Sequence, residues 1–442
     1  MVRKSGSDFG IELEIPLVAL DGGSVEPDVA VAALERLVET FALEPGKRDA
    51  SGRLVAATNT RNGDFIAFEY CFHMIELALA PGQDLNEVAE RSYDYLRCMQ
   101  QALAPEGVVL SGLGLHPNFQ TMNTDPLEVS NYRLLRHFAQ VHPKQSQFYH
   151  RDFFAFVNAS QVHVDCSVDE LPDVFRVYSK LDWIFALLFS NSIVPPREGE
   201  AVGPWVGSRD LFYADSVYGT LEGNLGPHDR DFRSVTDVCE AMADLAMWKT
   251  PDPGLICFRP LPLRDYLLMP ETETLPGWFM EDWTKPRETV VHPSLEHLEG
   301  FKGFKNITLT KHKTVEIRSF CEQPLRDAFA PAAFVLGCRE HLLEVEEVLD
   351  ALGTSLSNSE LRRLVNVGRQ EEIAPAAEMR KVLERLVELS HRGLQERGRG
   401  EEVFLKPLYR RAEQLECPGG HALRLLRSGS SMRSIVEAYA EF

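Results

Sequence analysis

The chain has 442 residues, 44% hydrophobic and 25% charged, an ordinary globular composition with material for one large domain or two to three average ones. Its longest apolar runs, at 183–189 and 328–337, fall short of the ~20 residues of a membrane-spanning helix, and Arg3, Lys4, Asp8, Glu12 and Glu14 break any signal-peptide core, so a cytoplasmic protein is expected. With 66 acidic against 46 basic side chains the net charge is −20, which argues against nucleic-acid or membrane partners but leaves ATP open, since a metal ion and a few Arg or Lys reverse the field locally.

In chain order, residues 8–18 alternate as a strand, and Pro27 with Asp28 opens a helix carrying Val31, Leu34, Leu37 and Val38 on one face. Residues 64–80 read as a strand ending at Pro81-Gly82, followed by an amphipathic helix over 84–103. A short strand is expected over 107–115 and a polar loop with helical pieces over 118–150. Residues 153–166 return to strand, and 172–189 form an apolar helix. The stretch 195–230 reads as irregular, 235–247 as helix and 251–298 as loop, the last for its prolines 260, 262, 270, 276 and 286. Two late strands are expected at 306–309 and 314–320. Beyond 327 the pattern is helical, with Met379, Val382, Leu383, Leu386 and Val387 marking one face. The prediction is α+β, divided into a catalytic sheet-and-helix core over 1–327 and a helical C-terminal part over 328–442 packed on that core.

The eight cysteines contain no C-x-x-C pair and are expected to be buried free thiols. No phosphate-binding G-x-x-x-x-G-K-[ST] loop, G-x-S-x-G or H-E-x-x-H occurs, and the glycine run beginning at Gly112 meets Pro117 where a dinucleotide fingerprint needs its last glycine.

What carries chemistry is acid within strands. Glu12 and Glu14 leave the same face of their strand, because side chains alternate with a period of two; the wet face of an edge strand would look the same. Glu76 sits in an apolar setting where a lone carboxylate is costly. Glu69, seven residues earlier, falls on the opposite face of an uninterrupted strand, so either a bulge intervenes or only one of the two reaches a site. Glu316 and Arg318 share a face and form a simple ion pair or part of a site. Gln161, His163 and Asp165 share another, where a lone histidine is often structural. Strand carboxylates converging on one surface repel unless cations neutralise them, and oxygen donors suit Mg²⁺ or Mn²⁺.

In this order the segments resemble those of the carboxylate–amine ligases related to glutamate–cysteine ligase. Gly10-Ile11-Glu12-Leu13-Glu14 is similar to that family's G-x-E-x-E opening and Met74-Ile75-Glu76 to its next acidic strand. Gln161-Val162-His163-Val164-Asp165 stands where the family has H-V-H-V-G, and Asn191-Ser192 with the later Gly207-Ser208-Arg209 resembles its N-S-P turn and downstream arginine. Thr314-Val315-Glu316-Ile317-Arg318 is similar to its late E-x-R strand. The resemblance implies a glutamine-synthetase-like fold whose curved, mostly antiparallel sheet forms a funnel. It implies metal ligation by Glu12, Glu14, Glu76 and Glu316, with Glu69 and His163 as further candidates. Arg318 and Arg209 would hold phosphate or a substrate carboxylate, and Asn191 would shape the pocket wall.

The implied reaction is ATP- and Mg²⁺-dependent (or Mn²⁺-dependent) joining of a glutamate-like carboxylate to cysteine or another amine through an acyl phosphate. The sequence departs from the family at Gln161, at Asp165 and in the 191–196 turn, all on the expected substrate side. A phosphotransferase of the same architecture and a non-catalytic amino-acid or peptide binder stay open as alternatives.

Overall fold

The computed structural model describes residues 8–141, 146–197, 199–221, 223–251, 256–273 and 290–442. Its frame is a nine-stranded sheet. The strands are β1 (Phe9–Ala19), β2 (Glu44–Pro45), β3 (Ala56–Thr58), β4 (Phe65–Phe68), β5 (Met74–Gly82), β6 (Val108–Leu110), β7 (Ala159–Val164), β8 (Ile307–Leu309) and β9 (Val315–Cys321). In space they run β8-β9-β7-β1-β5-β4-β3-β2, with β6 on the far half of β1, and every pairing in this sheet is antiparallel. Neighbouring strands come from distant parts of the chain, so Phe9–Ala19, Ala159–Val164 and Val315–Cys321 meet across roughly 300 residues of sequence, the span of a whole domain.

The alternation in β1 decides which side is core. Ile11, Leu13 and Ile15 point one way and are almost completely buried. So do Ile75, Leu77 and Leu79 of β5, Val162 and Val164 of β7, and Val315 and Ile317 of β9. Onto this side pack α1 (Pro27–Phe41), α2 (Leu85–Leu103) and α4 (Leu171–Phe189), while α3 (Ser130–Val141) covers a separate aromatic cluster. Pro27 occupies the first turn of α1, where its missing N–H leaves one orphan donor fewer, and the Asp84 side chain caps α2 by accepting from Asn86 N–H at 2.9 Å.

Several boundaries differ from expectation. Residues 64–80 are two strands, β4 and β5, reversed by a tight turn at Tyr70, whose φ is 58°. Only Val108–Leu110 of 107–115 is strand, and the expected strand over 153–166 begins with a 3₁₀ turn, Phe153–Ala155. The helix expected over 235–247 stops at Ala243, and Ala246–Lys249 pairs with Cys257–Pro262 inside the expected loop. Apolar runs this short fit either period, and pairing decides between them. Pro276 and Pro286 lie outside the described residues. Of the cysteines, Cys71, Cys257, Cys321, Cys338 and Cys417 are buried, but Cys98 and Cys166 are half-buried and Cys239 is exposed.

After Cys321 the described chain forms only helices and connections. Ala330–Arg339 crosses Ala376–Arg397 where two glycines meet: a Cβ on Gly393 would stand 2.1 Å from the Gly337 carbonyl oxygen. Phe320, Phe334, Leu383 and Leu386 belong to one continuous apolar cluster with Leu13 and Leu77.

Candidate active site

The other face of the sheet is acidic, and strand register assembles it. Glu316 of β9 pairs with His163 of β7, which pairs with Gly10 of β1. One step along, Gln161 pairs with Glu12, and two residues further Glu14 pairs with Glu76 of β5. Because side chains alternate, these residues share one face. A Cβ at Gly10 would stand 3.4 Å from His163 Cβ, an ordinary van der Waals contact. The turn at Tyr70 brings Glu69 back beside Met74, and since Ala67 pairs with Glu76, Glu69 lies on the same face as Glu76. Two strands, not one bulged strand, reconcile the odd spacing.

Within the row the side chains are linked. Glu12 Oε1 lies 3.3 Å from His163 Nε2, and His163 Nδ1 lies 3.2 Å from Thr314 Oγ1. Glu316 is paired with Arg318, whose Nη1 also donates to Gln161 Oε1 at 2.5 Å. Gln161 Nε2 in turn donates to Glu14 Oε1 at 2.7 Å, and Ala159 N–H donates to Glu14 Oε2 at 2.7 Å. Arg209, from the short helix α5 (Ser208–Ala214), donates to the Arg318 carbonyl at 3.2 Å and lies 5.1 Å over the Tyr213 ring. Arg318 lies 5.6 Å over Phe304. Both guanidiniums are thereby fixed before any ligand arrives.

A cleft of about 720 Å³ opens on this face, lined among others by Glu14, Glu69, Tyr132, Tyr213, Lys302 and Arg318. A second, of about 1010 Å³, lies between α5 and the helix Asn358–Asn366 and shares Arg318, Tyr213 and Phe304 with the first. Asn191 lines neither. Its amide donates to the Gly112 and Glu322 carbonyls at 2.8 and 2.9 Å, joining two backbone segments below the sheet.

Ionisation on this face is uneven. Burial lifts Glu14 to a pKa of about 8, with Glu69 adding to the rise and Arg209 and Arg318 opposing it. Burial, and after it the charges of Glu69, Glu12 and Glu14, hold Glu76 well above the carboxylate range. Glu69 is raised by burial and by Glu12 against the pull of Lys302. For Glu12, burial works upward but is outweighed by His163, Lys302 and Arg318, which bring it down to about 2. Lys302 is lowered by Arg318 and by desolvation, yet Glu316, Glu12 and Glu69 leave it above its ordinary value. Much of the Lys302 side chain is exposed, so the charge pairings, not burial, govern it.

The residues fit a divalent cation. Glu12, His163 and Glu316 each present a ligand atom, and the three lie within 4.8 Å of one another. His163 Nε2 is buried with no properly aligned hydrogen-bond partner, although Glu12 is near, as expected of two donors aimed at a shared ion. Oxygen-rich donors with one imidazole suit Mg²⁺ or Mn²⁺.

Lys302, Gln161 and Tyr213 belong to the site without having been candidates. Gln161 was visible as a face-mate of His163, whereas Lys302 comes from a Gly- and Phe-rich connection with no periodicity to mark it.

An acidic sheet face flanked by arginines already fixed in place marks an enzyme that handles phosphate groups. The chain belongs to glutamate-cysteine ligase family 2, whose model matches residues 8–437, and it is an ATP-dependent carboxylate–amine ligase. No curated protein matches it. Among solved structures it is similar to glutamate–cysteine ligase from Francisella tularensis in complex with AMP, at 10% identity and TM-score 0.51, covering 99% of this chain and 88% of that one. It also matches a bifunctional glutathione synthetase from Pasteurella multocida (14% identity, TM-score 0.46, 99% and 51% covered). A third match is the complex between the prokaryotic ubiquitin-like protein Pup and its ligase PafA (9%, 0.42, 98% and 71%). No described helix is long and apolar enough to cross a membrane.

Proposed function

We propose that this ligase activates a glutamate-like carboxylate with ATP and transfers the acyl group to a small amine, with Mg²⁺ or Mn²⁺ held on the acidic sheet face. The observation that carries this reading is the register that lines up Glu316, His163, Glu12, Glu14 and Glu76 on one side of β9, β7, β1 and β5. The sheet curves into a funnel around that face, as in glutamine-synthetase-like enzymes, and the binding of AMP by the Francisella enzyme agrees with a nucleotide there. Glu12, His163 and Glu316 would hold one cation, and Glu14, Glu69 and Glu76 would bear on a further one; bound there, such ions would supply charge neutralisation for the nucleotide's phosphates.

Arg318 and Arg209 orient the nucleotide's phosphates or the substrate carboxylate by their fixed planar forks. A carboxylate oxygen forms a bond to the γ-phosphorus as the bond to ADP breaks. The amine nitrogen then bonds to the acyl carbon, phosphate leaves with the C–O electron pair, and the amine loses a proton. Positioning and charge stabilisation supply the rate. The aromatic cleft wall of Tyr132, Tyr213 and Trp248 would bound the amine.

The test is purified protein with ATP, Mg²⁺, glutamate and a pool of amines and thiols. ADP release that requires an amine, with a new amide in the mass spectrum, is expected. ADP release with a stable phosphorylated product and no amide would overturn the reading.

A further inference from the structure

We infer that Tyr70 is a positioning residue, held by the buried carboxylate of Asp152, that aims Glu69 at the further cation position proposed beside Glu14 and Glu76. The inference rests on the cation-binding reading above. Glu69 is the acidic residue of the face that does not lie within a regular strand; it stands just past β4, where the chain reverses. Its N–H still reaches the Met74 carbonyl at 3.2 Å, the last rung of the β4–β5 ladder, so its direction is set by that rung together with the turn.

That turn is unusual. Cys71 N–H donates to the Glu69 carbonyl at 2.7 Å, closing a three-residue loop around Tyr70, whose φ is 58°. A bulky side chain with positive φ is rare, and such a backbone persists only when its surroundings over-determine it. A glycine would take this conformation at no steric cost, so the tyrosine side chain must contribute something to outweigh the strain.

Its contribution is visible. Tyr70 is 1% exposed, and its hydroxyl donates to Asp152 Oδ1 at 2.8 Å. Asp152 is itself fully buried and multiply held: Arg136 Nε lies 3.1 Å from Oδ1, Arg151 Nε 3.1 Å from Oδ2, and Thr124 Oγ1 donates to Oδ2 at 3.2 Å. Tyr132 and Phe154 stand against the ring at 5.6 and 5.9 Å between centroids. The Tyr70 carbonyl accepts from Leu127 N–H at 2.6 Å. Tyr70 is thus clamped at both its phenol and its backbone, and the adjacent Glu69 carboxylate is turned into the cleft beside Glu14. Asp152 is 82 residues away in sequence, and nothing in the reaction chemistry uses it otherwise.

The experiment measures Mn²⁺ binding to the purified full chain by electron paramagnetic resonance, with no nucleotide or substrate present, in wild type, Tyr70→Phe, Glu69→Gln and the double variant. Thermal unfolding runs alongside. Removal of the hydroxyl is expected to weaken Mn²⁺ about tenfold, the range for groups that orient a metal's ligands. Glu69→Gln should weaken it at least as much, and the double variant no further than Glu69→Gln alone. Unchanged Mn²⁺ affinity in Tyr70→Phe, or an equal further loss when Glu69 is already Gln, would overturn the positioning role. If Tyr70→Phe does not fold, Asp152→Asn, which keeps the volume and an acceptor for the hydroxyl but removes the charge, replaces it with a smaller loss expected and the same overturning result. A wild-type chain that binds no Mn²⁺ removes the cation site and this role together. Mn²⁺ binding that is intact in wild type and insensitive to Tyr70 removes this role alone.

Discussion

Glu14 shows how much work a single carboxylate does on this face. It accepts from Gln161 and from Ala159 N–H, and yet burial and Glu69 leave it with a pKa near 8. Its proton is therefore retained in the folded chain from about pH 4.5 to 8 and released in the unfolded chain. The stability it contributes is full below about pH 4.5 and drains away as pH rises through 8. Glu69 and Glu76, also raised, act in the same sense. Metal-free protein should accordingly lose thermal stability from pH 6 to 9, and Mn²⁺ should restore it more strongly at the alkaline end, since the bound ion replaces the protons. Unfolding temperatures measured over that range with and without the ion check this. Glu316→Gln keeps the shape but removes one charge from the set near His163 and Arg318. Ligase turnover is expected to fall by about 10²-fold or more with circular dichroism unchanged.

Among elements, β1, β7 and β9 were legible because apolar residues alternate there with polar or charged ones, and the face they share follows from that alternation. The β4–β5 turn was not, because its left-handed residue is a tyrosine where a reader looks for glycine or asparagine. Lys302 was hidden for another reason: a cation brought in by a connection has no partner spacing in the sequence, and only the fold sets it beside Glu12 and Glu316. Asn191, expected to shape the pocket wall, is a different case. It stands beside a motif but spends its amide on Gly112 and Glu322 carbonyls. The crossing of Ala330–Arg339 over Ala376–Arg397 was likewise unreadable, since glycines at 337 and 393 look like helix breakers until their backbones touch. Gly393→Val should cost about 1–3 kcal/mol, read as a lower urea midpoint with an unchanged slope.

Taken as one object, the molecule has a main core that runs across residue 327, with the C-terminal helices packed on the sheet. Leu13 and Leu77 from the sheet, Phe185 and Phe189 from α4, and Phe334, Leu383 and Leu386 from the C-terminal helices share one apolar cluster. Arg411, far along the chain, donates to the Leu188 carbonyl and pairs with Asp327. A chain ending at residue 327 would expose the apolar surface that those helices cover. Such a truncation is expected to aggregate or to lack a cooperative transition in calorimetry, where the full chain shows one.

The row linking Gly10, His163 and Glu316 has a consequence for how this protein tolerates change. Each of its members is placed by counting residues along a strand, so one codon added within Ala159–Val164 would reverse every side chain beyond it. His163 would turn into the oily interior, Val162 or Val164 would surface among carboxylates, and Glu12 and Glu316 would face each other with no imidazole between them. Point substitutions erode such a centre by degrees, whereas a frame slip of one residue abolishes it in a single stroke.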